Sequence, residues 1–237
     1  MAKAQGWAAQ RARLKEAGAS EQALDKIHAA AGRLAEGRGH LPADHAHIFS
    51  LEQDGSDAFS LRLAAAKRAL EVVARLDPYV RPVAAEGGLR LSLFVPGGPQ
   101  AIGLSAAEHR AATLALGVTN GLIARGELAL DSLGRLSALG ADANPAILAS
   151  VTTVHWWGIC NCLTEDEVNL ITMVAFAIGI GLMIASAIDF LTTMIPGIAV
   201  VGGGTLLEII SMTGKLLGHG GVCIYTTPFG QYIVPWI

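Results

Sequence analysis

The pattern of hydrophobic and polar positions divides this chain near residue 150. Before that point apolar residues recur at helical or alternating spacing among charged ones. After it they run almost unbroken. Residues 168–188 are 21 positions without a charge, and about 18 suffice for a helix that crosses a bilayer.

The first part reads as alternating helices and strands. Residues 1–37 are Ala-rich and helical in pattern, with Gly18-Ala19-Ser20 as a break. Residues 47–53 read as a strand. Phe59, Leu63, Ala66, Leu70 and Val73 then fall at helical spacing, and Asp77-Pro78 stops that helix. Residues 89–95 predict a second strand, with Leu89, Leu91, Leu93 and Val95 on one face. Ser105 and Glu108 form a capping box, in which each residue satisfies an N–H at the other's position. The helix it opens is expected to reach about residue 126, and another helix is expected over 128–139. Residues 1–140 are thus expected to form a soluble α+β domain, with two or more strands and several helices.

Residues 141–150 read as a linker. They are small, broken by Pro145, and of the kind that proteases nick. Asn144, Pro145, Ala149 and Ser150 mark the candidate processing region.

Residues 151–237 predict a mainly α, highly apolar module of membrane grade. Thr164 and Glu167 form a second capping box, placing three acids at the positive end of a helix that starts near residue 165. Pro196-Gly197 is its natural stop. Ala177, Gly181 and Ala185 form a small-residue stripe that lets helices approach closely in lipid. A weaker second span over 195–217 suggests a helical hairpin or small bundle. Asp189 and Glu208 within lipid would each cost on the order of a few kcal/mol, so they are expected at protein contacts or near the interface. Trp156, Trp157 and Trp236 bracket the block, as residues that favour the membrane interface do.

Charge sharpens the division. Residues 1–150 carry sixteen basic and fifteen acidic side chains, whereas residues 151–237 carry only Glu165, Asp166, Glu167, Asp189, Glu208 and Lys215. Six charges in 87 residues are too few to clothe an ordinary soluble surface. There is no basic run, which argues against nucleic acid as a partner. The N-terminal residues lack the apolar core of a classical signal peptide. The chain is therefore expected to be membrane-associated, or to export its C-terminal part after processing.

Candidate chemistry is sparse. His40, Asp44, His45 and His47 are metal-ligand types in a Pro-containing loop, without a second cluster at useful spacing. No Gly-x-Ser-x-Gly or Walker pattern occurs. All three cysteines, Cys160, Cys162 and Cys223, lie in the apolar block. Reduced packing residues, one disulfide, and a metal site completed by His155 and His219 all remain open. No catalytic residue, cofactor or metal ligand is assigned on this basis.

Three functions fit. One is a non-enzymatic membrane-inserting protein, whose soluble front domain restrains or delivers the apolar module. By analogy of composition, it would be the precursor of a bacteriocin-like antimicrobial peptide. A second is a membrane-anchored structural or regulatory subunit. A third is a metal-dependent enzyme using the His/Cys set. The expected partners are a lipid bilayer, a membrane protein or a second copy of the chain.

Overall fold

The computed structural model describes residues 2–36, 47–51, 58–138, 152–178 and 220–236. The fold is α+β, and by its internal contacts the chain divides into two compact units. The first comprises residues 1–43, 162–222 and 235–237, and the second comprises residues 44–161 and 223–234.

In the first unit, α1 (Ala2–Glu16) and α2 (Glu21–Glu36) flank a tight helix stop. Gly18 takes φ 102°. Its N–H donates to Lys15 O, and the N–H of Ala19 reaches back to Leu14 O, both at 3.0 Å. This is the glycine-terminated helix end in which a left-handed residue lets the last carbonyls be satisfied. Ser20 then caps α2 by accepting from Ala23 N at 3.2 Å. Leu24, Ile27, Ala30 and Ala31 of α2 are buried, at the spacing of one helix face. α2 packs against α6 (Glu165–Ile178), which buries Val168, Ile171, Val174 and Ala175. The capping box at the start of α6 is present as the sequence suggests: Thr164 N donates to Glu167 Oε2 at 2.8 Å, and Glu167 N to Thr164 Oγ1 at 3.4 Å.

The second unit holds α3 (His47–Ser50), α4 (Ala58–Leu76), β1 (Val80–Ala85), β2 (Gly88–Leu93), α5 (Ala106–Ala124), β3 (Leu128–Leu130) and β4 (Leu136–Ala138). α4 buries Leu63, Ala66, Leu70, Val73 and Leu76. β1 and β2 pair antiparallel, with Pro82 opposite Leu91. α5 contacts β2 and is opened by the Ser105–Glu108 box. From α5 the Asn120 amide grips one residue of β2: Leu91 N donates to Asn120 Oδ1 and Asn120 Nδ2 donates to Leu91 O, both at 2.8 Å.

Two local readings change. Residues 47–50 are one helical turn rather than the start of a strand. The helix expected over 128–139 is instead the β3–β4 hairpin. Its turn is held by Asp131, whose Oδ1 accepts from Leu133 N and Arg135 N, both at 2.9 Å. A carboxylate that bonds its own downstream backbone offers the chain an alternative to helix.

The larger correction concerns the C-terminal block. Among the described residues it is not the mainly α, helical-hairpin module expected from its hydropathy. β5 (Thr152–His155), β6 (Gly158–Thr164), β7 (Gly221–Thr227) and β8 (Gly230–Trp236) form a sheet in that order. These segments are rich in Thr, Val, Ile, Cys, Tyr and Trp, side chains that fit a pleated, half-buried surface. Trp156-Trp157 and Pro228-Phe229 are two-residue links between the strands. Among the described residues no helix is long and apolar enough to cross a membrane. Gly181, Ala185, Asp189 and Glu208 lie outside the described residues, as do the linker residues Asn144, Pro145, Ala149 and Ser150.

Candidate functional site

β5 and β6 pair antiparallel from Thr152 opposite Asn161 to His155 opposite Gly158. At the start of β6, a Cβ on Gly158 would stand 1.9 Å from Thr226 O on β7. At its end, Glu165 N donates to Gly220 O at 2.9 Å. The start of one strand thus meets the end of the other, so β6 and β7 run antiparallel. Glycine at 158 is what allows the two backbones to approach so closely, and its φ of 145° lies where side chains are strained.

This pairing gathers the cysteines. Cys160 and Cys162 are two apart on β6, and successive strand residues alternate faces, so the two share one. Cys223 lies on the neighbouring strand. The three Sγ atoms all lie within 4.8 Å of one another, and all three residues are buried. Cys160 keeps its thiol outside the bridge, while Cys162 and Cys223 are disulfide-bonded. With three cysteines in the chain, the bridge joins those two. Burial pushes the Cys160 thiol up to about 12, and a side-chain hydrogen bond with Tyr225 works against that rise. The thiol is held protonated at neutral pH, because its thiolate would be stranded in an apolar interior.

The histidines named beside the cysteines do not complete a metal centre among the described residues. His155 stacks on Trp157, with ring centroids 4.5 Å apart and planes at 5°, and it does not belong to the sulfur cluster. His219, His40, Asp44 and His45 lie outside the described residues. Zinc binds thiolates, and the oxidised cluster keeps one thiol.

Trp156 and Trp157 are both buried in protein. Trp156 Nε1 donates to Asp77 Oδ1 at 2.6 Å, and Thr119 Oγ1 donates to Trp156 O at 3.0 Å. Trp236 lies on β8. Ala177 sits on α6 beside Phe176, which is exposed, and lines an open cleft with Ser20, Ala23 and Lys26. Nothing in the sequence marks Gly158, Asp77 or Thr119 individually as parts of this site, and Tyr225 reads there only as an interface-favouring aromatic of the apolar tail. The Trp-Trp-Gly run, a turn-like interruption between two β-prone stretches, is the one signal that points to the hairpin. Asp77 reads only as part of a helix stop, and nothing local links it to a residue 79 positions away. No protein-family model, curated protein sequence or solved structure matches this chain.

Proposed function

We propose that the protein is non-enzymatic and acts at a membrane, with its polar N-terminal part restraining or delivering the apolar C-terminal block. The observation that carries this reading is the charge-free run over residues 168–188, inside a block with six charged side chains in 87 residues. Such a surface is stabilised only by burial in protein or in lipid. The way the block is closed off supports the reading. β6 leads directly into α6, β7 begins the return, and the Cys162–Cys223 bridge closes the covalent loop around everything between them. A structural disulfide also suits a segment that reaches an oxidising compartment.

In the sharper form, the chain is a precursor, and an antimicrobial C-terminal peptide is released by cleavage within residues 141–150. The partner is then a lipid bilayer. The test is fractionation of expressing cells and medium with intact-mass measurement, together with co-sedimentation of the full chain with phosphatidylcholine and mixed anionic vesicles. The expected result is membrane-bound or exported material, with a fragment of about 87 residues if the precursor form holds. Membrane-bound material that stays intact supports a membrane-anchored subunit and removes the precursor form. A monodisperse, detergent-free monomer that ignores both vesicle types overturns the membrane reading altogether.

A further inference from the structure

The cluster contains one more sulfur than its bridge uses. Cys160 shares a strand with Cys162, and both sulfurs lie within 4.8 Å of Cys223 Sγ. We propose that the bridge is exchangeable: Cys160 takes over Cys223 and releases Cys162, without any external oxidant or reductant. This inference is independent of the membrane reading.

The chemistry balances within the chain. Cys160 loses its proton to solvent, and the thiolate attacks Cys223 Sγ. The Cys160–Cys223 bond forms as the Cys162–Cys223 bond breaks. Cys162 leaves as a thiolate and takes up a proton. One disulfide and one thiol are present before and after, so no oxidation state changes overall.

The competing product is a bridge between Cys160 and Cys162. Two extended residues span roughly 6.6–7.2 Å between Cα atoms. Disulfides need about 4.4–6.8 Å. Geometry therefore favours the cross-strand exchange. The two cross-strand bridges close loops that differ by only two residues in about sixty, and loop entropy varies with the logarithm of length, so it hardly distinguishes them. Either bridge encloses residues 163–222. The loop around the apolar block stays closed whichever isomer is present.

Burial governs the rate. A thiol held near 12 supplies little thiolate at neutral pH, so exchange is slow while the sheet is intact. Opening the sheet to water returns Cys160 towards the ordinary thiol range of about 8.5 and speeds the exchange.

The first test uses the full chain carrying Cys162→Ser, air-oxidised, then denatured in acid and treated with N-ethylmaleimide. The expected outcome is no alkylated cysteine and a Cys160–Cys223 cross-link. Two alkylated cysteines overturn the proposal. A second test needs no substitution. The native chain is held at about pH 7, 8 and 9, quenched in acid and alkylated, and peptide fragmentation between residues 160 and 162 locates the label. Label should appear on Cys162 at a rate rising about tenfold per pH unit, as the thiolate fraction does far below the thiol's titration point. Label confined to Cys160 at every pH overturns the exchange even if the variant misfolds.

Discussion

Replacing Gly158 with alanine should be far more damaging than an ordinary glycine substitution in this protein. Two costs combine there. The φ of 145° is one that side chains rarely adopt, and holding a non-glycine residue in such a region costs about 1–3 kcal/mol. The added Cβ also meets Thr226 O at 1.9 Å, where real Cβ contacts stay beyond 3.0 Å. The blocking atom is backbone, so no side chain can swing away. β7 has to retreat by about 1 Å, and packing strain of about 1–3 kcal/mol adds to the backbone term. The sum is about 2–6 kcal/mol, a large share of the 5–15 kcal/mol that typically holds a domain together. Gly88 supplies the control. Its φ is 138°, and a Cβ there meets nothing within 4 Å, so Gly88→Ala measures the backbone cost alone. Urea unfolding followed by tryptophan fluorescence compares both variants with the parent, and the midpoint shift at constant slope gives each loss. The expected order is parent, then Gly88→Ala, then Gly158→Ala, with the two variants separated by at least about 1 kcal/mol. Equal losses for the two alanines would refute the close approach of β6 and β7 at this glycine.

Three further outcomes follow from the same structure. Cys223→Ser opens a loop of about sixty residues and should lower stability by about 4 kcal/mol on loop-entropy grounds, read as the drop in urea midpoint and mimicked in the parent by a reducing agent. Asp77→Ala leaves the indole N–H of buried Trp156 without its carboxylate partner, at a cost of about 1–3 kcal/mol, and should shift the tryptophan emission of the folded protein. The Glu108 carboxyl is held below its ordinary range, chiefly by the backbone N–H of Ser105 and then by its hydroxyl, with Arg68 adding a smaller push in the same direction. Because the folded-state value is the depressed one, this stabilisation is present above the ordinary Glu range and is lost as pH falls through the lowered value. Glu108→Gln should therefore flatten the acid limb of thermal stability below about pH 4.3, and an unchanged limb would show that the capping carboxylate contributes nothing.

How far the sequence could be read depended on the range of the interactions involved. Both capping boxes, Ser105 with Glu108 and Thr164 with Glu167, were legible because each is complete within four residues. The strand at Gly88–Leu93 was legible from alternation. Its partner β1 was not, because Pro82 within it reads as a breaker; in the structure that proline faces Leu91 across a two-stranded ribbon, where no further strand among the described residues needs its missing N–H. β6 and β7 were hidden for another reason. Residues 160–164 and 221–225 are buried consecutively, so they show no alternation. A short apolar run of that kind cannot be told from helix by periodicity. The long uncharged stretch beside them, residues 168–188, carries the stronger signal, that of a long apolar helix. The cysteine types were visible, but which pair bridges depends on strand pairing, and pairing is set by contacts about sixty residues apart.

The grip of Asn120 on Leu91 has a consequence for the company this protein keeps. Among the described residues β1 and β2 form a sheet of two strands, so the outer side of β2 is a row of backbone groups ready to recruit a strand from another molecule. At the middle of that side, the Asn120 carboxamide presents an oxygen and an N–H side by side, as one residue of a paired strand presents its own C=O and N–H, and it occupies both backbone groups of Leu91. A side chain borrowed from α5 thus counterfeits one residue of the absent neighbour. An incoming strand would have to displace two hydrogen bonds before making its first, and the ribbon is discouraged from growing from chain to chain.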